Sequence, residues 1–244
     1  MTVQVLLLLS AFAMCAAFIQ RTTGFGFGIF IMTMLPYLLP SYAEATTLSG
    51  MLASLTSAVI VWRLRKHLIW KRLIPMLITF LVVSCLAILF LGKLSSTALQ
   101  IFLGLMLIIA AIYFWFLADK VRINTNMPTQ VSLGTLSGVM GGFFGMQGPP
   151  AVLYFLSVSE TKERYAVLAQ TYFLIGNLTM TIIRFFNGYL TQQVFTSWLC
   201  AIPAVLLGTW IGAIVFKRLP MKLLRKIIYL YIGISGVIAL GYAF

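Results

Sequence analysis

The sequence predicts an all-α integral membrane protein of about eight spans, arranged as two four-element repeats that each begin with a glycine-broken helical hairpin. Of the 244 residues, 61% are hydrophobic and only 9% are charged, whereas soluble domains carry about 25% charged residues. The apolar residues also form long runs, and a membrane span needs about 20 of them. This composition excludes an ordinary soluble domain.

The apolar runs define the predicted elements. They cover residues 3–19, 24–40, 44–62, 73–91, 99–118, 130–158, 165–183, 194–216 and 227–243. A secretory signal has positive charges before its apolar region, but none precedes the first stretch here, Val5 to Ile19. We therefore expect this stretch to belong to the mature protein. The three cysteines lie inside apolar runs without CxxC or Cys/His spacing, and we therefore expect neither a disulfide nor a metal site.

Two stretches contain glycines at a density that a membrane helix does not tolerate. One is Gln20-Arg-Thr-Thr-Gly-Phe-Gly-Phe-Gly28, and the other, residues 134–150, holds six glycines and ends in Pro149-Pro150. Glycine costs a helix interior about 1 kcal/mol relative to alanine, and proline about 3 kcal/mol. Each cluster therefore predicts a helix that breaks within the membrane.

The two clusters also mark an internal repeat. Residues 93–100 align with residues 218–225, and both glycine clusters lie at a similar offset. We expect an N-terminal repeat at residues 1–120 and a C-terminal repeat at residues 121–244, joined by a polar linker from Asp119 to Gln130.

Equivalent loops of the two repeats have opposite charge. The loop at 63–72 is strongly basic, whereas its counterpart at 184–193 has Arg184 alone. The turn near Lys93 is weakly charged, whereas its counterpart carries Lys217, Arg218, Lys222, Arg225 and Lys226. Because basic loops stay in the cytoplasm, this pattern predicts an inverted repeat with both termini outside. The alternative is a simple eight-span chain with a basic loop outside. In either case the net charge of +13 reflects topology, and we expect no nucleic-acid partner.

Broken helices place polar backbone groups inside the bilayer. These groups are tolerated where they line a polar cavity, and the amides at a half-helix N-terminus attract anions. We therefore expect the two broken segments to bind the substrate. The candidate residues in them are Gln20, Arg21, Gly24, Gly26, Gly28, Gly142, Gly145, Gln147, Gly148 and Pro149. Close helix packing is the alternative for such glycines, and it suits Gly134 and Gly138 better.

Two further polar features point to an anion path. Arg21 follows an apolar run, and an arginine at the bilayer centre costs at least about 2.5–3.5 kcal/mol, so we expect it either to bind an anion or to anchor the hairpin at an interface. Glu163, Gln170, Asn177, Thr181 and Arg184 fall on one helical face. We expect this stripe, including Gln170 and Asn177, to line a cavity. For its ends, Glu163 and Arg184, interfacial caps are the alternative.

Acidic residues are scarce. The four carboxylates are Glu44, Asp119, Glu160 and Glu163, all at the ends of runs or in loops, and His67 is the single histidine. Catalytic or metal chemistry requires clusters of such groups, so we expect no enzyme, cofactor or metal. Proton relays need buried ionisable groups, and Glu44 is the best candidate for one. A path without acids suits an anion.

These motifs resemble the sulfite exporter TauE/SafE family of membrane transporters. The resemblance rests on the segment from Gln20 to Gly28 followed by Pro36, on the segment from Gly138 to Pro150, and on Glu163-Arg164-Tyr-Ala166. It covers nearly the whole chain. The alternating Gly-Phe pattern and Arg21 depart from the tighter glycine run and the small residue expected in this family.

The resemblance implies a transporter of small organosulfur or related anions, with both glycine-rich stretches lining the path and Arg164 near it. We therefore predict a secondary transporter, and by the family's name an exporter, of sulfite, a sulfonate or a related anion, in the inner (plasma) membrane. An anion channel and a non-transporting membrane assembly protein are the alternatives. The sequence leaves proton coupling and a homodimer open.

Overall fold

A computed structural model describes residues 3–91 and 126–218 continuously, with isolated residues in between and after them. The described residues form no strand. The helices are α1 (Val3–Thr23), α2 (Phe27–Ile31), α3 (Leu35–Leu38), α4 (Tyr42–Leu64), α5 (Ile74–Leu91), α6 (Met127–Phe144), α7 (Gly148–Val158), α8 (Lys162–Phe186) and α9 (Gln192–Arg218). Short 3-10 turns at Arg65–His67 and Trp70–Arg72 join α4 to α5.

Five of the described helices are long and apolar enough to cross a membrane. These are α1, α4 with its following turn, α5, α8 and α9. The protein is thus an all-helical, multi-pass membrane protein. The predicted runs at 99–118 and 227–243 and most of the predicted linker at 119–130 lie outside the continuously described residues.

Both predicted breaks occur at glycines in the left-handed region. Gly24 has φ 86° and Gly26 has φ 100°, between α1 and α2, and Gly145 has φ 67°, between α6 and α7. Residues with a Cβ rarely adopt this conformation, whereas glycine does so without steric cost. Each break reverses the chain and produces a hairpin. Hairpin 1 comprises α1, α2 and α3, and hairpin 2 comprises α6 and α7.

Glycines set the distance between two pairs of neighbouring helices. On α9, Gly208 lies against the Met14 carbonyl of α1 and Gly212 against the Phe18 carbonyl. On α6, the glycines at 134, 138 and 142 lie against the carbonyls of residues 76, 80 and 84 of α5. Residue numbers rise together in both pairs, so α1 runs parallel to α9 and α5 runs parallel to α6.

Helices α4 and α8 form the centre of the bundle. They are more buried than the other spans, and they run antiparallel, since Ser57 pairs with Gln170 at one end and Thr46 with Arg184 at the other. Both begin at a capping hydroxyl: Ser41 accepts the Glu44 amide, and Thr161 accepts the Arg164 amide. Such caps satisfy the first free amides of a helix.

The bundle has one strongly basic end. Arg72, in the turn before α5, donates to the Val158 carbonyl and lies 3.8 Å from Glu160, which also pairs with Arg164 at 2.8 Å. We call this end the basic face. At the opposite face, the hydroxyl of Thr191 donates to Glu44 Oε2 at 3.1 Å.

Candidate functional site

The tips of the two hairpins meet in the interior of the protein. Gly28 of hairpin 1 lies against the Gly145 carbonyl of hairpin 2, and Phe25 packs on Gly148. Between the tips is a cavity of about 30 Å³, which holds about two water molecules. We call it the tip cavity. Its lining consists of Gln20, Phe25, Gly26, Phe27, Gly28, Ile29, Ala53, Gly145, Met146, Gln147, Gly148, Phe173 and Asn177.

Hairpin 1 is held to both central helices by a closed network of amides and a hydroxyl. Gln20 Nε2 donates to Ser57 Oγ at 2.9 Å and to Gln170 Oε1 at 2.8 Å, and Ser57 Oγ donates to the same Gln170 oxygen. Gln170 Nε2 in turn donates to the Gly24 carbonyl at 2.7 Å. Both hydrogens of Gln20 Nε2 and the hydroxyl hydrogen of Ser57 are thus used within the network, which fixes the position of the tip.

Hairpin 2 is held by fewer side chains. Gln147 Nε2 donates to Asn177 Oδ1 at 3.0 Å, and the Ser137 hydroxyl donates to the Gln147 carbonyl at 2.7 Å. The Tyr172 hydroxyl supports Ser137 at 2.8 Å. Gln147 and Asn177 are 4% and 3% exposed, so the cavity receives the polar groups of two desolvated amides.

Side chains of α8 donate to carbonyls at the ends of α1 and α6, in addition to the backbone amides of the breaks, such as that of Gly145, which donates to the Gly141 carbonyl. The Tyr165 hydroxyl donates to the Thr23 carbonyl at 3.3 Å, and Gln170 serves the Gly24 carbonyl. Arg184 Nη2 donates to the carbonyls of Gly141 and Gly142, at 3.2 and 3.0 Å. These side chains replace the backbone hydrogen bonds that each helix loses at its break.

The two tips differ in the backbone donors that they offer. The amides of Phe27, Gly28 and Ile29 are in the first turn of α2, where no helical carbonyl can accept from them. At the start of α7, Pro149 and Pro150 have no N–H. Hairpin 2 therefore contributes mainly side-chain amides to the cavity, and hairpin 1 mainly backbone amides.

Seven of the predicted binding residues meet at the tip cavity: Gln20, Gly26, Gly28, Gly145, Gln147, Gly148 and Asn177. Gly24 and Gln170 adjoin it through the Gln20 network. Gly142 and Pro149 are buried but do not line it, and Gly142 packs against Ser84 and Ala87. Their contact with substrate remains a prediction.

The two predicted arginines lie away from the cavity. Arg21 is 8% exposed, its guanidinium lies 5.1 Å from the Phe216 ring, and its aliphatic part packs on Gly212 of α9. Arg164 pairs with Glu160 at the basic face. The lining of the tip cavity contains no charged side chain, so a role for either arginine in binding remains a prediction.

Of the two interpretations for Arg184, the structure excludes the interfacial cap. Its side chain is fully buried, and besides Gly141 and Gly142 its Nη1 donates to the Thr46 carbonyl at 3.2 Å. Glu163, at the other end of the polar stripe, is exposed as expected. The spacing that placed Arg184 on the face of Gln170 and Asn177 was the signal for its burial.

Comparison with known proteins decides the family. The profile of the sulfite exporter TauE/SafE family matches residues 9–238. This chain belongs to that family. It is similar to the probable sulfite/organosulfonate exporter TauE of Cupriavidus necator (strain ATCC 17699 / DSM 428 / KCTC 22496 / NCIMB 10442 / H16 / Stanier 337), with 23% identity over 211 residues that cover 85% of this chain and 82% of the relative. No solved structure shows significant similarity to this chain.

Membership of the TauE/SafE family makes the chain a membrane transporter of the exporter type and not an enzyme. The chain has the length and the apolar helices that this role requires.

Proposed function

We propose that this TauE/SafE family member is a secondary transporter that exports a small oxyanion, namely sulfite, a sulfonate or a related organosulfur compound, across the inner membrane. The observation that carries the proposal is the tip cavity, where the buried amides of Gln147 and Asn177 meet the glycine-rich backbone of both hairpins. The Cupriavidus relative, a probable sulfite/organosulfonate exporter, supports the same substrate class.

Neutral donors suit an anion that must be released again. Amide N–H groups in a desolvated cavity stabilise negative charge, and a cavity without carboxylates does not repel it. Moderate affinity at a central site is what a carrier requires, since the substrate must leave on the other side.

The directions of the helices support an inverted repeat of about eight spans. Helix α1 runs parallel to α9, α5 runs parallel to α6, and α4 and α8 are antiparallel. Hairpin 2 begins at the basic face, whereas hairpin 1 begins at the opposite face. The two hairpins thus approach the cavity from opposite sides, as in transporters built from inverted repeats.

Transport in this arrangement requires the tips to separate. The cavity of about 30 Å³ is too small for a sulfonate, and the contact between Gly28 and Gly145 closes the path between the hairpins. Displacement of one hairpin at a time would open the cavity to one face and then to the other. A channel would instead need the cavity to be open to both faces at the same time.

Flux into proteoliposomes tests the proposal. Purified protein is offered sulfite, thiosulfate, taurine and sulfoacetate, with empty liposomes as the control. We expect saturable uptake of at least one anion, and a pH step across the membrane tests proton coupling. Absence of flux for the whole panel with folded protein refutes the organosulfur assignment, and conductance that does not saturate identifies a channel.

A pair of variants tests the position of the site. In Gln147→Leu the cavity loses an amide that a buried anion needs, at about 1–3 kcal/mol, so flux falls about tenfold or more. Gln192→Leu makes the same change at an exposed position at the start of α9 and leaves flux unchanged. Equal flux in the two variants would mean that the substrate binds outside the tip cavity.

A further inference from the structure

A second polar position lies between the two central helices, beside Gly50 of α4. If Gly50 carried a Cβ, that atom would lie 3.7 Å from Asn177 Oδ1, 3.7 Å from Thr181 Oγ1 and 3.8 Å from Arg184 Nη1. Three polar side chains, spaced along one face of α8, thus converge on one point of α4. We call it the Gly50 position.

Arg184 has hydrogen-bond donors that no described residue uses, and one of them faces Gly50. A guanidinium carries five N–H groups, and the carbonyls of Thr46, Gly141 and Gly142 accept three of them. Nε has no hydrogen-bond partner within the described part of the chain. Nη1, which makes one of the three bonds, retains a second hydrogen, and Nη1 is the atom that faces Gly50.

Two neighbouring hydroxyls are buried and also lack partners. Thr181 Oγ1 has none among the described residues, although it faces the Gly50 position. The Tyr42 hydroxyl has none either, and it lies within electrostatic range of Arg184. Buried hydroxyls in proteins are usually hydrogen-bonded, so a group of unpaired donors beside a buried cation indicates a binding position.

The charge of Arg184 points to an anion. No carboxylate lies within 4.0 Å of it among the described residues, since the salt bridges there all involve Glu160. The carbonyls of Gly141 and Gly142, near the end of α6, offset part of the positive charge, because a helix C-terminus carries about half a negative charge. The rest is unbalanced in a fully buried side chain.

We propose that the Gly50 position binds one oxygen of the transported oxyanion, between the tip cavity and the opposite face, with Arg184 and Thr181 as donors. The inference rests on the proposed function and adds a second position to its path. The remaining Nη1 hydrogen of Arg184 and the Thr181 hydroxyl can both donate to such an oxygen, and a hydrogen bond from a charged donor is about twice as strong as one between neutral groups.

Asn177 links the two positions, because it lines the tip cavity and also faces Gly50. Its Oδ1 accepts from Gln147 Nε2. Rotation of both terminal amides by half a turn preserves a hydrogen bond between them and turns Asn177 Nδ2 toward Gly50. An anion that moves from the tip cavity to Arg184 would then have a hydrogen-bond donor beside it along the whole distance.

The test uses changes that leave the contacts of Arg184 intact. Thr181→Val is nearly isosteric and removes a hydroxyl that has no hydrogen-bond partner among the described residues. Thr171→Val is its matched control, since Thr171 is on the same helix and its buried hydroxyl is also unpaired, but it does not face Gly50. Gly50→Ala fills the position with a methyl group in ordinary contact distance and favours the helix.

Two readouts are measured on the purified full chain: sulfite flux in proteoliposomes, and the rise in melting temperature on addition of sulfite in detergent, which reports binding. We expect Thr181→Val and Gly50→Ala to melt no lower than the wild type without sulfite. In both, flux falls about tenfold or more and the sulfite-induced rise shrinks. Thr171→Val behaves as the wild type in both readouts.

The outcomes separate the two proposals. Wild-type flux and stabilisation that persist in Thr181→Val and Gly50→Ala overturn the Gly50 position and leave the tip cavity in place. Equal losses in Thr171→Val and Thr181→Val also overturn it, because they indicate a general effect on α8. If sulfite, thiosulfate, taurine and sulfoacetate neither stabilise nor cross with the wild type, the proposed substrate class fails, and this inference fails with it.

Discussion

Single glycines determine how closely the hairpin tips approach α8. Gly24 combines a positive φ of 86° with a close neighbour, since a Cβ there would lie 2.7 Å from the Tyr165 ring. Gly188, in the turn between α8 and α9, has a similar φ of 78° but no heavy atom within 4 Å of the Cβ position. A comparison of alanine substitutions at the two positions therefore distinguishes the cost of backbone strain from the cost of steric overlap.

Gly24→Ala should destabilise the protein more than Gly188→Ala. The left-handed conformation costs a residue with a Cβ about 1–2 kcal/mol, which both variants incur. Overpacking adds about 1–3 kcal/mol at Gly24 alone. Melting temperatures in detergent measure the difference, and equal decreases would mean that the Tyr165 ring moves aside at no cost.

The sequence predicts some of the site residues better than others, for physical reasons. Gln20 and Gln147 adjoin the glycine breaks, so their presence at the tips follows from the chain itself. Asn177 follows from helical periodicity on α8. The direction of Arg21 depends on where α9 packs, which local sequence does not determine, and the burial of Arg184 depends on the carbonyls of a distant hairpin.

At the scale of elements, a row of small residues holds α6 against α5. Gly134, Gly138 and Gly142 recur every four residues and face the backbone of α5. This spacing allows two helices to approach closely in a membrane, where van der Waals packing drives their association. The packing role expected for Gly134 and Gly138 is confirmed, and Gly142 packs in the same way.

Gly138→Val should therefore separate α5 from α6. The added side chain would overlap Val83, whose Cβ lies 2.7 Å from the Cβ position, and such overpacking costs about 1–3 kcal/mol. Thr135→Ile enlarges an exposed residue of the same helix and is the control. We expect a lower melting temperature for Gly138→Val alone, and a decrease shared by both variants would contradict the packing interpretation.

The boundaries of the elements follow from the sequence where capping and glycine signals are strong. The breaks at 24–26 and 145–147 fall in the predicted clusters. The return segment of hairpin 1 was predicted as one apolar run to residue 40, but it divides into α2 and α3 near Pro36. Proline removes a helical hydrogen bond, and the hydropathy of the run does not reveal the resulting break between α2 and α3.

At the scale of the whole molecule, charge and helix direction agree. The basic turn between α4 and α5, the turn before α8 and the end of α9 lie at one face, since Arg72 reaches Glu160, and Arg21 lies within electrostatic range of Arg63 and over Phe216. Basic residues remain on the cytoplasmic side. The basic face is thus the one expected in the cytoplasm.

Cysteine accessibility tests this topology. Single cysteines replace Arg65, Lys217 and Asn187 in a background without Cys15, Cys85 and Cys200, and they are labelled with an impermeant thiol reagent in whole cells. We expect Asn187→Cys to react and the other two to be protected until the cells are opened. Labelling of Arg65→Cys and Lys217→Cys from different sides would refute the inverted repeat.

The dependence of both breaks on α8 also affects biosynthesis. Tyr165, Gln170 and Arg184 supply the donors for the exposed carbonyls of both hairpins, yet α8 follows both of them in the chain. We therefore expect neither hairpin to reach its final depth in the lipid before α8 has been made. Hairpin 1 is expected to stay in contact with water or with the translocation machinery until residues 162–186 emerge.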